Sequence, residues 1–200
     1  MTYGSNSPLG LVPVYNRAGS PYNGSDTELP ILSGYATSIF TGDPVATQTN
    51  GTIGQGVGAS VWLGVFMGCK YVDSTGLPKF SPYWPASTSV LSGTTPVALI
   101  ADAEDLLFDV QEANHAGTAA GTPLTQTAVG DNTNFVIGTG TTANGLSATW
   151  LDNSVVANTS TLNVRIQALS PKVGNVLGAF ANWLVSNNSG EIRPGTTGHS

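Results

Sequence analysis

Charge is what this sequence most lacks. Of its 200 residues only 6 are Lys or Arg and 12 are Asp or Glu, 9% together, where a soluble domain carries about 25%. Such a surface is wetted by hydroxyls, amides and backbone rather than by ions. It lacks the mixed charge that keeps a freely diffusing enzyme soluble and patch-free, and it suits a protein that lies against copies of itself or against a partner shell. Cations are the scarcest group: Arg17, Lys70, Lys79, Arg165, Lys172 and Arg193 are scattered and form no stripe. With a net charge of −6, that argues against a nucleic-acid groove, which needs clustered Lys and Arg.

Other absences narrow the function further. Cys69 is the single cysteine, so neither an intramolecular disulfide nor a cysteine zinc cluster can form. Its apolar neighbours favour a buried small hydrophobe over a reactive thiol. The two histidines are His115 and His199. A Ser-His-Asp triad would have to rest on His115, which sits in a Gly/Ala-rich loop with no nucleophile motif nearby. No stretch approaches the roughly 20 apolar residues of a membrane helix. The start Met1-Thr2-Tyr3-Gly4-Ser5 has neither a basic region nor an apolar run, so no secretion signal is expected.

What the sequence does hold is turn chemistry: 25 Gly and 12 Pro, which break the chain into short pieces. In the first thirty residues, prolines 8, 13, 21 and 30 exclude a helix or a central strand. This stretch is read as an extended arm, 1–30, with Leu11, Val12, Val14, Tyr15 and Tyr22 too apolar for a bare linker. Strands are expected at 35–40 and 45–49, divided by the turn Thr41-Gly42-Asp43-Pro44. The longest apolar block, 60–72, reads as a central strand with Val61, Leu63, Val65, Met67, Cys69 and Tyr71 on one face and Trp62, Phe66 and Val72 on the other. Gly64 and Gly68 mark a bulge or bend in it.

After the hairpin turn at 73–78, the return strand 79–85 carries two prolines and is placed at an edge. Further strands are expected at 96–101, 106–112, 134–137, 145–151, 161–168 and 182–186, with one helical turn near 124–129. In 106–112, Leu106, Phe108 and Val110 face inward and Asp109 and Gln111 outward. In 161–168, Leu162, Val164, Ile166 and Ala168 alternate inward. The fold class is therefore all-β: a sandwich or barrel of about eight to ten short antiparallel strands. The chain divides into an arm (1–30), a single β domain (31–190) and a loose tail (191–200).

Candidate chemistry is thin. Five of the twelve acids lie between Asp102 and Glu112. A calcium site is the sharp reading, but the spacing misses the EF-hand pattern, and a solvated turn is favoured. A pair of carboxylates for glycoside hydrolysis would have to come from distant parts of the chain. No catalytic, cofactor or metal residues are assigned. Trp62, Trp150 and Trp183 sit in apolar strand patterns and read as core. Trp84, between Tyr83 and Pro85 on the suspected edge, is placed at an interface. The candidate interface is Leu11, Val12, Val14, Tyr15, Tyr22, Tyr83 and Trp84.

Several blocks, in order, resemble a family of tailed-bacteriophage virion proteins that cover or cement the capsid. They are Gly10-Leu11-Val12-Pro13-Val14 with Pro21-Tyr22-Asn23-Gly24, Gly34 to Val45, Leu63 to Tyr71, Phe80-Ser81-Pro82-Tyr83-Trp84-Pro85, Phe108-Asp109-Val110-Gln111 and Trp183-Leu184-Val185. The resemblance spans residues from about 10 to 190. It implies a non-enzymatic β-protein, made in the host bacterial cytoplasm and carried on the outer capsid surface. There it would bind the major capsid protein and associate with itself as a dimer or trimer, without cofactor, nucleic acid or membrane. The alternative is a carbohydrate-binding module on a virion surface or fibre that uses exposed aromatics.

Overall fold

The computed structural model describes residues 4–24, 26–58, 60–119 and 121–192. Among them are fifteen strands, one 3₁₀ turn at Gln126–Ala128 and no α-helix. The first half holds β1 (Val12–Asn16), β2 (Thr27–Pro30), β3 (Ile39–Phe40), β4 (Pro44–Thr47), β5 (Ile53–Gln55), β6 (Gly64–Val72), β7 (Pro78–Ser81) and β8 (Tyr83–Trp84). The second half holds β9 (Val97–Ala101), β10 (Leu106–Ala113), β11 (Asn132–Thr133), β12 (Phe135–Val136), β13 (Trp150–Asp152), β14 (Val164–Leu169) and β15 (Asn182–Asn187). The architecture is the all-β sandwich-or-barrel type that turn punctuation and alternation predict. Strands are more numerous than expected because 12–16, 27–30, 53–55 and 132–133 also pair, and because 79–85 breaks at Pro82 into β7 and β8.

A seven-stranded sheet runs in the order β11-β14-β15-β10-β13-β12, with β1 also on β10. A six-stranded sheet runs β2-β9-β6-β4-β5, with β7 also on β6, and β3 pairs with β8 separately. The pairing is not wholly antiparallel: β10 and β13 run parallel through Glu112 and Ala113. The larger core lies between the two sheets. Phe108, Val110, Ile166, Trp183 and Val185 of the first sheet meet Val65 and Ala101 of the second. Trp62 is fully buried there between Phe108 and Phe135, with ring centroids 5.8 and 5.6 Å away, and its indole N–H donates to the Asn163 carbonyl (3.1 Å). A second core holds Ile39, Val45, Leu63, Phe66, Cys69, Trp84 and Ile100. Burial pushes the Cys69 thiol up to about 12, so it acts as a small apolar side chain.

The extended arm lies on its own domain, with 12–16 and 27–30 built into the two sheets. β1 lies on β10, with Val12 opposite Asp109, and β2 on β9, with Leu29 opposite Ala98. Both are edge strands, where proline's missing N–H leaves no ladder bond unmade; the prolines exclude central strands but not these. At the other end, Glu191 is tied down as well. Its carboxylate accepts from the Thr47 N–H (3.0 Å) and the Thr47 hydroxyl. The tail from Arg193 lies outside the described residues.

Two bulges reset the face assignments. In β6 the register shifts between Phe66 and Gly68, and Gly68 takes φ +148°, which a side chain resists. One extra residue flips the side-chain parity. Phe66, Cys69 and Tyr71 therefore share the second core while Val65 and Met67 face the first, not the single row expected. In β14 a shift between Ile166 and Ala168 replaces Ala168 with Leu169 as the residue packed on the first core.

The expectation of an outward face on β10 is also corrected. Every residue of this strand is buried, including Asp109, Gln111 and Glu112. Alternation does put Asp109 and Gln111 opposite Phe108 and Val110. The face they occupy is covered by the N-terminal segment, whose Ser7 N–H donates to Gln111 Oε1 (2.8 Å), and by Ser170, whose hydroxyl donates to Asp109 (2.8 Å).

Candidate interaction surfaces

The residues singled out from sequence separate on folding. Leu11 and Trp84 are fully buried, in different cores. Trp84 is held by β8 pairing with β3, which sets it opposite Ile39, and its ring meets Tyr71 edge-on at 5.3 Å. An edge position in the hydrogen-bonding direction left its side chain free to turn inward, so the interface assignment for Leu11 and Trp84 is withdrawn. Tyr83, on the opposite side of β8, stacks on Phe40 at 5.4 Å and is half-buried. Val14 and Tyr15 are half-buried on β1, and Val12 is exposed. Tyr22 packs on the first core and donates its hydroxyl to Asp26. Desolvation, followed by that carboxylate, pushes the phenol well above its ordinary value.

None of the four tryptophans is exposed. Trp150 is half-buried, its N–H given to the Asn114 carbonyl (2.9 Å). A tryptophan platform for sugar stacking is therefore absent from the described surface.

Among the described residues the exposed aromatic is Phe80, missed in the sequence reading, with 80% of its surface in solvent. It lies on β7 opposite Lys70; Lys70 pairs on its other side with Val97, and Val97 with Pro30. Residues opposite one another across a sheet share a face, so Pro30, Val97, Lys70 and Phe80 form one row across four strands. Val72 and Pro78 form the next row. The one ion pair on this face is Lys70 with Glu28. Toward Val65 and Ala101 the same face turns into the larger core; toward Phe80 it is open and largely apolar. A shallow hollow of about 240 Å³ beside Phe80 is lined by Tyr71, Val72, Pro78, Thr95 and Val97, with Lys70 and Lys79 also on it. The signal was present in the sequence: Lys79 and Phe80 alternate on an edge strand, so one of them had to face outward.

The backbone of β7 adds to this surface. The Val72 carbonyl accepts from Leu91 N–H (3.0 Å), away from β7, so Val72 and Pro78 form a non-hydrogen-bonded pair. By the alternation of antiparallel ladders, Lys70 and Phe80 do too. The Phe80 N–H and C=O thus point to the open edge. Pro78 and Pro82 on either side keep that edge from accepting a long strand.

Buried polar groups elsewhere hold the fold. Asp43 accepts from the Phe40 N–H (2.9 Å), Gln55 Nε2 (3.0 Å), the Ser147 hydroxyl (2.5 Å) and the Thr149 hydroxyl (3.1 Å). Glu112 is fully buried in the first sheet, its Oε2 accepting from the Leu124 N–H (2.9 Å). His115 Nδ1 lies 2.9 Å from buried Asp152 Oδ2. That carboxylate also accepts from the Ser154 N–H (2.9 Å), which anchors the loop. Among the described residues, no three His, Cys, Asp or Glu side chains converge to hold a metal ion. In the acidic turn, Asp102 accepts from Thr27 Oγ1 (2.9 Å) and so ties β2 to the end of β9. Set beside family models, curated proteins and solved structures, the chain finds no match, and these surfaces are read from their own geometry.

Proposed function

We propose that this chain is a virion structural protein that binds the outer surface of an assembled phage capsid in many copies and cements neighbouring major capsid protein subunits. The observation that carries the reading is the open face around Phe80. It is an apolar sheet surface with a single ion pair, on a protein whose surface is otherwise wetted by Ser, Thr, Asn and Gly. The order of the sequence blocks that resemble capsid-covering proteins supports the same conclusion. An aromatic on an apolar face is the usual energetic centre of a protein contact. A protein that binds the assembled shell and not free subunits stabilises the shell by mass action. Repetition over a lattice makes modest individual contacts sufficient, and a charge-poor surface limits repulsion between crowded copies.

Particles carrying the protein should retain their DNA at higher temperature and through osmotic shock better than particles without it. Equal resistance of the two would overturn the reading. Phe80→Asp should weaken particle binding about 30-fold or more, the loss of a central aromatic contact. It should leave thermal unfolding of the free protein nearly unchanged, because the ring makes few contacts in the monomer. Binding that survives Phe80→Asp would move the contact elsewhere.

A further inference from the structure

A cleft of about 300 Å³ lies beside the N-terminal segment. One wall runs from Gly4 to Val12, the other from Lys172 to Asn182, and β10 forms the floor at Asp109 to Gln111. Its shape is braced by side-chain amides. Gln111 Nε2 donates to the Ser5 carbonyl (2.9 Å) and the Phe180 carbonyl (3.2 Å), while Oε1 takes the Ser7 N–H. Asn175 Nδ2 donates to the carbonyls of Ser170 and Asn182 (both 2.8 Å), and its Oδ1 accepts from the Asn182 N–H (2.9 Å). Both walls are thereby tied down, and the cleft is pre-formed.

The lining holds one charge pair, Lys172 Nζ at 2.9 Å from Asp109 Oδ2. Asp109 Oδ1 is buried without a partner. The rim is apolar and open: Leu9, Val12 and Val176 are exposed, and Val173 is 106% exposed, touching almost nothing of its own chain. A fully exposed valine at the lip of an apolar-rimmed cleft is a knob beside a hole. Two copies related by a two-fold axis at that lip would seat each knob in the other's cleft, which is the self-complementarity a closed dimer requires. The net charge of −6 opposes contact between copies over most of the surface. Here Lys172 and Asp109 cancel, so the patch is neutral.

We propose that Val173 and this cleft form an isologous contact between two copies of the chain. The contact shares no residue with the row around Phe80. It deepens the shell-binding reading by supplying its self-association, yet concerns the free protein, so the two fail separately.

The test is the mass of the full chain in solution, by sedimentation and light scattering across micromolar to near-millimolar concentration. The expected result is a concentration-dependent species of twice the 20.4 kDa of one chain. Val173→Asp should raise its dissociation constant at least tenfold without moving the unfolding transition, since Val173 makes no packing to lose. Val155→Asp, at an exposed valine outside the cleft, should leave association intact. Mixing Val173→Cys chains with Val12→Cys chains under mild oxidation should give a disulfide-linked pair beyond what either forms alone; Cys69 is buried and does not compete. A monomer at every concentration, or a dimer indifferent to Val173→Asp, overturns the proposal. So does a monomer whose Val173→Asp variant loses particle binding, which would give the cleft to the shell.

Discussion

Asp43→Ala is expected to destabilise the protein by about 4 kcal/mol, because each buried group left without a partner costs about 1–3 kcal/mol. The substitution strands the Phe40 N–H, leaves the hydroxyls of Ser147 and Thr149 with only each other (3.0 Å), and frees the Gln55 amide. These four donors come from β3, from β5 and from the segment leading to β13. One carboxylate therefore joins three parts of the chain, with Ser147 reaching it from 104 positions away. For a domain of this size the loss corresponds to a fall in melting temperature of roughly 10 °C. Asp43→Asn, which keeps one acceptor oxygen and the same shape, should lose distinctly less. Thermal unfolding of the two variants side by side checks this; equal losses would show that the shape and not the accepted hydrogen bonds matters.

The second large effect is a dependence on pH centred on Glu112. Burial lifts this carboxyl from its ordinary 4.5 to about 7, against the Leu124 N–H and the Trp183 indole, which favour the ionised form. Neither the indole nitrogen nor Glu112 Oε1 closes a hydrogen bond of good geometry, so burial dominates. The folded-state value lies above the unfolded one, so the native protein holds the proton more tightly. The associated stability is fully present below pH 4.5 and is lost as pH rises through 7. The difference amounts to about 3 kcal/mol. Burial raises the Asp43 carboxyl as well, which adds to the same trend. Urea unfolding followed from pH 4.5 to above 7 should show stability falling, and Glu112→Gln should flatten the curve. A flat curve in the parent protein would mean that the carboxyl is solvated in solution.

Much of the architecture was legible because strands write themselves in period two and turns in Gly, Pro and Asn. The run 161–168 shows its inward side in Val164 and Ile166, and Gly68 announces its bulge. The prolines at 82 and 85 mark the edge that β7 occupies. What could not be read was the second surface laid over each strand. Asp109 and Gln111 alternate away from Phe108 and Val110 as expected, but Gln111 is covered by Ser5 and Ser7 from more than 100 positions away. Trp84 sits on a short strand flanked by prolines, yet its side chain turns into a core completed by Ile39 and Tyr71. The candidate surfaces suffered the same limit. Alternation on an edge strand says that Lys79 or Phe80 faces outward but not which, and Val173 differs in no sequence property from apolar residues that fold inward.

The sequence by itself determined that this is an all-β chain with many turns, poor in cations and in charge of either sign. Those properties are sums over residues or patterns along one strand, and neither depends on which distant segment lies alongside. Only the tertiary structure decided that 12–16 and 27–30 of the extended arm pair as edge strands, that the acids of β10 are buried, and that Phe80 and Val173 are among the exposed apolar groups. Each of these depends on contacts between segments far apart in the chain. A bulge of one residue, as at Gly68, reverses every facing that follows it, so burial is settled by assembly and not by local pattern.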